Sequence, residues 1–125
     1  MTEKEKMLSG KLYYSFLDGL FEERQHAKDL VFEFNSLSPK EVEKRNEILK
    51  ELLGKTGKNF FFEPPFRCDY GYNIEIGENF YSNHNLVILD GNKVTFGDNV
   101  EIGAEGVVNK DIQSNVLAVG NLSRV

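Results

Sequence analysis

Proton transfer and nucleophilic attack near neutral pH usually need an imidazole, a thiol or a charge pair, and this chain has few of them. Its 125 residues contain two His and one Cys. His84 stands in Phe80-Tyr81-Ser82-Asn83-His84-Asn85, beside amides that could share a proton-transfer site. His26 follows Arg24 in a stretch of helical periodicity, where a surface or packed role is favoured over a catalytic one. Cys68 has no partner for an intramolecular disulfide, so nothing argues for secretion. Residues 1–58 carry 11 acidic and 11 basic side chains, whereas residues 59–125 carry 9 acidic and 4 basic. Lys110 and Arg124 are two of those four cations. An acidic half repels a phosphate backbone, which excludes nucleic acid as a partner.

Residues 73–119 must position these groups, and they repeat. Ile74-Glu75-Ile76-Gly77-Glu78-Asn79-Phe80 is answered by Val94-Thr95-Phe96-Gly97-Asp98-Asn99-Val100. Steps of six from Ile76 reach Ser82, Ile88 and Val94, and steps of six from Phe96 reach Ile102, Val108 and Ser114. Apolar residues six apart, with Gly after the inward residue at 77, 97 and 103, predict a parallel β-helix of three sides and about eighteen residues per coil. The slip of two between Val94 and Phe96 calls for a longer corner near Asp90-Gly91-Asn92. Periodicity alone leaves an antiparallel meander open, because Gly-Asp-Asn and Asp-Gly-Asn are also hairpin signals.

Residues 1–58 read as a helical segment, and residues 59–125 as the β-helix. Thr2 and Glu5 form a capping box, after which Met7, Leu8 and Tyr13 can share one face. A second helix near Asp18 would bury Leu20, Ala27, Leu30, Val31 and Phe34. Ser38-Pro39-Lys40-Glu41 predicts a third helix with Ser38 as N-cap, Pro39 in the first position and Val42, Arg45, Leu49, Leu52 and Leu53 on one stripe up to Gly54. These stripes are expected to cover the first coil of the β-helix. Phe60-Phe61-Phe62 followed by Pro64-Pro65 implies an extended entry strand and a rigid bend, with the rings in the core. No apolar run nears the roughly twenty residues of a membrane span, and the charged start is unlike a signal peptide, so a soluble cytoplasmic protein is expected.

Several stretches carry a further resemblance. Thr2 to Met7, Gly10-Lys11-Leu12-Tyr13, Glu41 to Arg45, Glu63-Pro64-Pro65-Phe66-Arg67-Cys68-Asp69-Tyr70-Gly71-Tyr72-Asn73-Ile74, and Val108-Asn109-Lys110-Asp111-Ile112 together resemble the maltose and galactoside O-acetyltransferases. That resemblance implies a homotrimer of left-handed β-helices with N-terminal helices. Its members move acetyl from acetyl-CoA to a sugar hydroxyl without a metal.

Such a transfer needs a general base, donors for the developing oxyanion, and a grip on both reactants. The family base is a His on a Thr-Ala-Thr-His-Pro loop beyond the corner matched by Gly97-Asp98-Asn99. Here Asn99-Val100 runs straight into Glu101-Ile102-Gly103-Ala104, as though about three coils, on the order of fifty residues, were absent. Removing whole coils returns the chain to the same corner, so the fold can survive while the base and much of the CoA wall do not. By the same resemblance Asn83 is an active-site residue. Arg24, Asp69 and Tyr81 fall at sugar-binding positions, and Ala104, Lys110 and Arg124 line the CoA channel. Ser15 stands near a family Asp that contacts the acceptor, and Gly120-Asn121-Leu122-Ser123-Arg124 departs from the family's Gly-Asn-Pro-x-Arg. Strand alternation would turn His84 away from the face that carries Asn83. Two functions remain in view: an acetyl-CoA-dependent sugar O-acetyltransferase, or a catalytically inactive trimeric scaffold or sugar-binding remnant.

Overall fold

Strands of two or three residues cannot satisfy their own backbone groups, so they persist only when stacked against equivalents from neighbouring coils. The computed structural model describes residues 1–125 and shows that arrangement. Nine strands follow three helices: β1 (Phe60–Phe62), β2 (Phe66–Cys68), β3 (Ile74–Ile76), β4 (Phe80–Ser82), β5 (Leu86–Ile88), β6 (Val94–Phe96), β7 (Glu101–Ile102), β8 (Val107–Val108) and β9 (Leu117–Ala118). They form three sheets, β1-β4-β7-β9, β2-β5-β8 and β3-β6, which are the three sides of a prism. Every strand pairing is parallel, which excludes the meander and gives the left-handed β-helix its rungs. Lys55 already bridges Glu75 in parallel, so the first rung begins before β1.

Pairing of Phe60 with Phe80 and of Ile74 with Val94 sets a coil of 20 residues rather than eighteen. The extra two lie in the corner between β5 and β6, where the sequence placed its slip. Ile76, Ser82 and Ile88 hold the second inward position of their sides; the longer corner drops the next step of six onto the first inward residue of β6, Val94, and the frame resumes from its second, Phe96. In the last coil Glu101 pairs with Leu117 and Phe96 bridges Ile112, an offset of 16. Ile112 therefore fills the inward position that the step of six gave to Ser114, and Ser114 is exposed at the corner.

Inside, Phe62, Ser82, Ile102 and Ala118 stack in one column. The Phe62 ring lies 5.0 Å from Phe66 and 4.9 Å from Phe80, and Phe80 lies 5.1 Å from Phe96. Ser82 Oγ is buried beneath these rings without a hydrogen-bond partner.

The corner after β3, β6 and Ile112 repeats a hydrogen-bond pattern. Lys58 N–H donates to Glu78, Glu78 N–H to Asp98 and Asp98 N–H to Ser114 Oγ, at 2.9, 2.8 and 2.9 Å. Beside them the amide of Asn79 donates to Asn99, and that of Asn99 to Asn115, at 2.9 and 2.8 Å. These three Asn hold φ of 57, 56 and 62°, the left-handed region that Asn tolerates better than most side chains. At Gly97 a Cβ would lie 2.6 Å from the Ser114 nitrogen, so the coils approach too closely for any side chain there.

Helices close one end of the prism. In α1 (Glu3–Leu8) the capping box forms as the sequence predicts. Met7 alone of its expected face is buried; Leu8 and Tyr13 are exposed, because the helix ends at Leu8 and Tyr13 lies beyond it. In α2 (Leu20–Ser36) the five expected residues are buried. The third helix, α3 (Val42–Leu52), starts later than the Ser-Pro signal implies: its N-cap is Glu41, without a side-chain cap bond. Ser38 to Lys40 instead form a turn, whose carbonyls at Ser38 and Pro39 accept from the buried Arg45 guanidinium at 2.7 and 3.3 Å. Val42 is half-buried, and Ile48 joins the stripe. Helices and prism share one core of 23 buried residues. Asn35 of α2 both donates to and accepts from the backbone of Phe66, at 3.0 and 2.9 Å, so one amide side chain pairs with the open edge of β2.

Candidate functional site

Functional side chains in a prism stand on its corners or outward on its strands, because inward positions are packed. The residues singled out from the sequence fall into three groups on different sides of the molecule.

The first group lies where α2 meets the corner between β2 and β3. Arg24 Nη1 donates to the Tyr70 hydroxyl at 2.8 Å, and its guanidinium sits 5.2 Å from the Phe16 ring centre and 5.7 Å from that of Tyr70. Held between two rings, it has little freedom left to lose on binding a ligand. Asp69 lies half-buried beside it. Burial and then the Asp90 charge push its carboxyl above the usual value, and Arg24 and Lys28 offset part of the rise. Asp69, Lys28, Phe32, Arg67, Cys68 and Leu89 line a groove of about 630 Å³ between α2 and the β2-β5-β8 sheet. Burial, Asp90 and Asp69 drive the Cys68 thiol well above its ordinary value, so it stays protonated and the groove holds no thiolate. On the other flank of Tyr70, Tyr72 donates to Glu23 at 2.6 Å, and Lys4 sits 4.4 Å from the Tyr72 ring centre. His26 is exposed there, in a depression of about 400 Å³ that it shares with Glu22, Tyr70 and Tyr72.

The second group belongs to β4, on a different side of the prism. The Tyr81 ring stacks on Phe61 at 6.3 Å and 17°. Asn83 and His84 follow the strand and sit in the corner, so the alternation used to separate them does not operate; the corner geometry decides instead. Asn83 Oδ1 accepts the N–H of His84 at 2.8 Å, leaving its amide NH2 to the outside. The Asn85 amide lies 3.2 Å from His84 Nδ1. Both side chains are exposed, and no carboxylate stands by the ring to orient it.

Lys110 and Arg124 make the third group. They line one depression of about 600 Å³ with Thr95, Gly97, Asp111 and Gln113, and a second of about 540 Å³ next to Gly120 and Leu122. Two exposed cations flanking one hollow suit a phosphate-bearing ligand. Ala104 stands apart, exposed in the corner between β7 and β8, and lines neither hollow. The structure thus brings Arg24 close to Asp69, keeps Tyr81 near Asn83, and joins Lys110 to Arg124. No hollow joins one group to another. No three His, Cys, Asp or Glu side chains stand close enough to share a metal ion.

Sequence reasoning missed Tyr70 and Asp90. Asp90 was legible only as part of a turn signal, yet its buried carboxylate accepts backbone N–H bonds from the corner that carries Asp69.

Comparison with known proteins agrees with this fold. Residues 6–57 match the maltose acetyltransferase hexapeptide capping motif. Over 102 residues the chain is 47% identical to the galactoside O-acetyltransferase of Escherichia coli, covering 82% of this chain and 50% of that protein. It spans about half the length of the curated relatives it matches. A crystal structure of a maltose O-acetyltransferase from Clostridium difficile superposes with a TM-score of 0.81 at 36% identity, covering 100% of this chain and 96% of that one. A galactoside acetyltransferase in complex with coenzyme A superposes with a TM-score of 0.78 at 33% identity, covering 100% of this chain and 90% of that one. Stacked parallel rungs, the helical cap over the first coil and these likenesses across the full chain converge: the protein belongs to the maltose and galactoside O-acetyltransferase family of hexapeptide-repeat acetyltransferases.

Proposed function

We propose that the chain is an acetyl-CoA-dependent sugar O-acetyltransferase subunit, of maltose or galactoside type, whose prism lacks the coils that carry the family's proton acceptor. A sugar binds through Arg24, Asp69, Tyr81 and Asn83. Arg24 and Asp69 offer a cation and a carboxylate to ring hydroxyls, Tyr81 offers an apolar face, and the free NH2 of Asn83 donates to the acceptor oxygen. Acetyl-CoA supplies the activated acetyl group as a thioester; Lys110 and Arg124 take its phosphates, and Ala104 leaves room along the wall. The two sugar-binding groups lie on different sides of one prism, so a complete acceptor site needs a second copy of the chain. That need supports a homotrimer, in which one copy's β4 side faces the next copy's α2 corner. The expected setting is the cytoplasm, where acetyl-CoA is formed.

One observation favours the second reading, a trimeric sugar-binding scaffold without turnover. Neither imidazole has a carboxylate partner to orient it as a base: His84 is exposed beside Asn85, and His26 is exposed on α2. The deciding measurement is thiol release from acetyl-CoA with maltose, glucose and galactosides as acceptors. Release that depends on the acceptor upholds the transferase, and its absence at every acceptor concentration leaves the scaffold.

A further inference from the structure

Three consecutive backbone amides, those of Asp69, Tyr70 and Gly71, point at a single carboxylate. Asp90 is 0% exposed, and it accepts from Asp69 and Tyr70 through Oδ1 at 2.8 and 3.0 Å and from Gly71 through Oδ2 at 2.7 Å. Its own carbonyl accepts from the Asn73 side chain at 2.8 Å, so both ends of the corner are tied to one residue of the next coil. Amides that converge in this way form a nest for an anion, and the anion here is part of the chain. Burial raises the Asp90 carboxyl above its ordinary value, and the three amides offset part of that rise.

The corner so held is the one that presents the first group of candidate sugar contacts. Gly71 takes φ +84°, and a Cβ there would lie 2.6 Å from the Leu52 carbonyl, so the path has one backbone solution. From it, Asp69 projects into the groove beside α2, and the Tyr70 hydroxyl receives Arg24. We propose that Asp90 is the positioning residue of the acceptor corner, fixing the Asp69 carboxylate and, through the Tyr70 hydroxyl, the Arg24 guanidinium in the arrangement that receives a sugar. This rests on the reading of Arg24 and Asp69 as sugar contacts given above. A group displaced by about 1 Å can lose binding or rate by up to a hundredfold, so the clamp's effect need not be small although Asp90 touches no ligand.

The test is calorimetric titration of maltose and methyl β-galactoside into the whole chain and into two variants. Asp90→Asn keeps the shape but turns an NH2 group towards an N–H donor; it should weaken sugar affinity about tenfold or more while the chain remains folded by circular dichroism. Asp90→Ala empties the nest, and formate, the smallest carboxylate, should restore affinity in that variant while leaving the wild type unchanged. Wild-type affinity in either folded variant overturns the proposal. So does formate that restores the melting temperature of Asp90→Ala but not its affinity, since packing alone would do that. If Asp90→Ala does not fold, Asp90→Asn decides alone. A wild type that binds neither sugar removes the acceptor reading itself, and amide exchange then judges the clamp. Unchanged protection of Asp69, Tyr70 and Gly71 in Asp90→Asn overturns it, whereas lost protection together with a freed Arg24 side chain upholds it.

Discussion

The two ends of the prism meet water differently. At the first coil, α2 and α3 bury Phe34, Leu49 and Leu52 against the rungs, Phe34 stands edge-on to Phe66, and Asn35 pairs with the strand edge. At the last coil the offset falls from 20 to 16, and Leu117, Val119 and Leu122 are about half exposed. The same rung-on-rung hydrogen bonds run through both ends, so regular pairing alone does not protect a solenoid. What distinguishes the capped end is apolar area removed from water, and that area should carry most of the stability.

Substitution can break this comparison. Phe34→Ala should cost about 3–5 kcal/mol in denaturant unfolding, whereas Leu122→Ala should cost less than about 0.5 kcal/mol. Comparable costs would mean that the last coil is covered in solution. Next in size, Asn35→Ala leaves the N–H and C=O of Phe66 unpaired, for a loss of about 2 kcal/mol. The Asn ladder sharpens the gradient between the ends: Asn99→Ala removes two side-chain bonds and strains φ, for about 1–2 kcal/mol, and Asn115→Ala removes one, for about half as much. Ser82→Ala should be neutral or stabilising by up to about 1 kcal/mol, because the hydroxyl has no partner to lose.

Asp69 gives the smallest effect and a sign that can be checked. Its folded carboxyl is raised above the ordinary 3.8, so the fold favours the protonated form. The stability it contributes is fully present below that ordinary value and is lost as pH rises through the raised one. Asp69→Asn should flatten the decline, so melting temperatures above and below pH 3.8 should converge, and sugar affinity should fall.

Repeats were the most legible part of the sequence. The corners Gly77-Glu78-Asn79 and Gly97-Asp98-Asn99 could be recognised because both keep Gly and Asn. Gly57-Lys58-Asn59 and Gln113-Ser114-Asn115 are equivalent corners; the first lies in a stretch read as helical, and the second has lost its Gly. Local signals succeeded when no distant group competed, as at Thr2. They failed at Ser38, whose carbonyl is taken by Arg45 from a buried position. At the candidate site, Arg24, Asp69, Asn83 and Lys110 could be located from the resemblance, and their grouping could not. Asp90 shows why: its partners are nineteen to twenty-one residues earlier in the chain, one coil away, and no local rule links an acid in a turn to amides at that distance.

The path of the last residues carries a further consequence. After β9 the chain bends back so that Val107 donates to Gly120 and accepts from Ser123, which places residues 120–123 along the edge of β8. A bare rung would be a template for any other polypeptide, in the register the molecule itself uses. Residues 120–123 stand where such a strand would pair, so the β8 edge is occupied by the chain's own backbone.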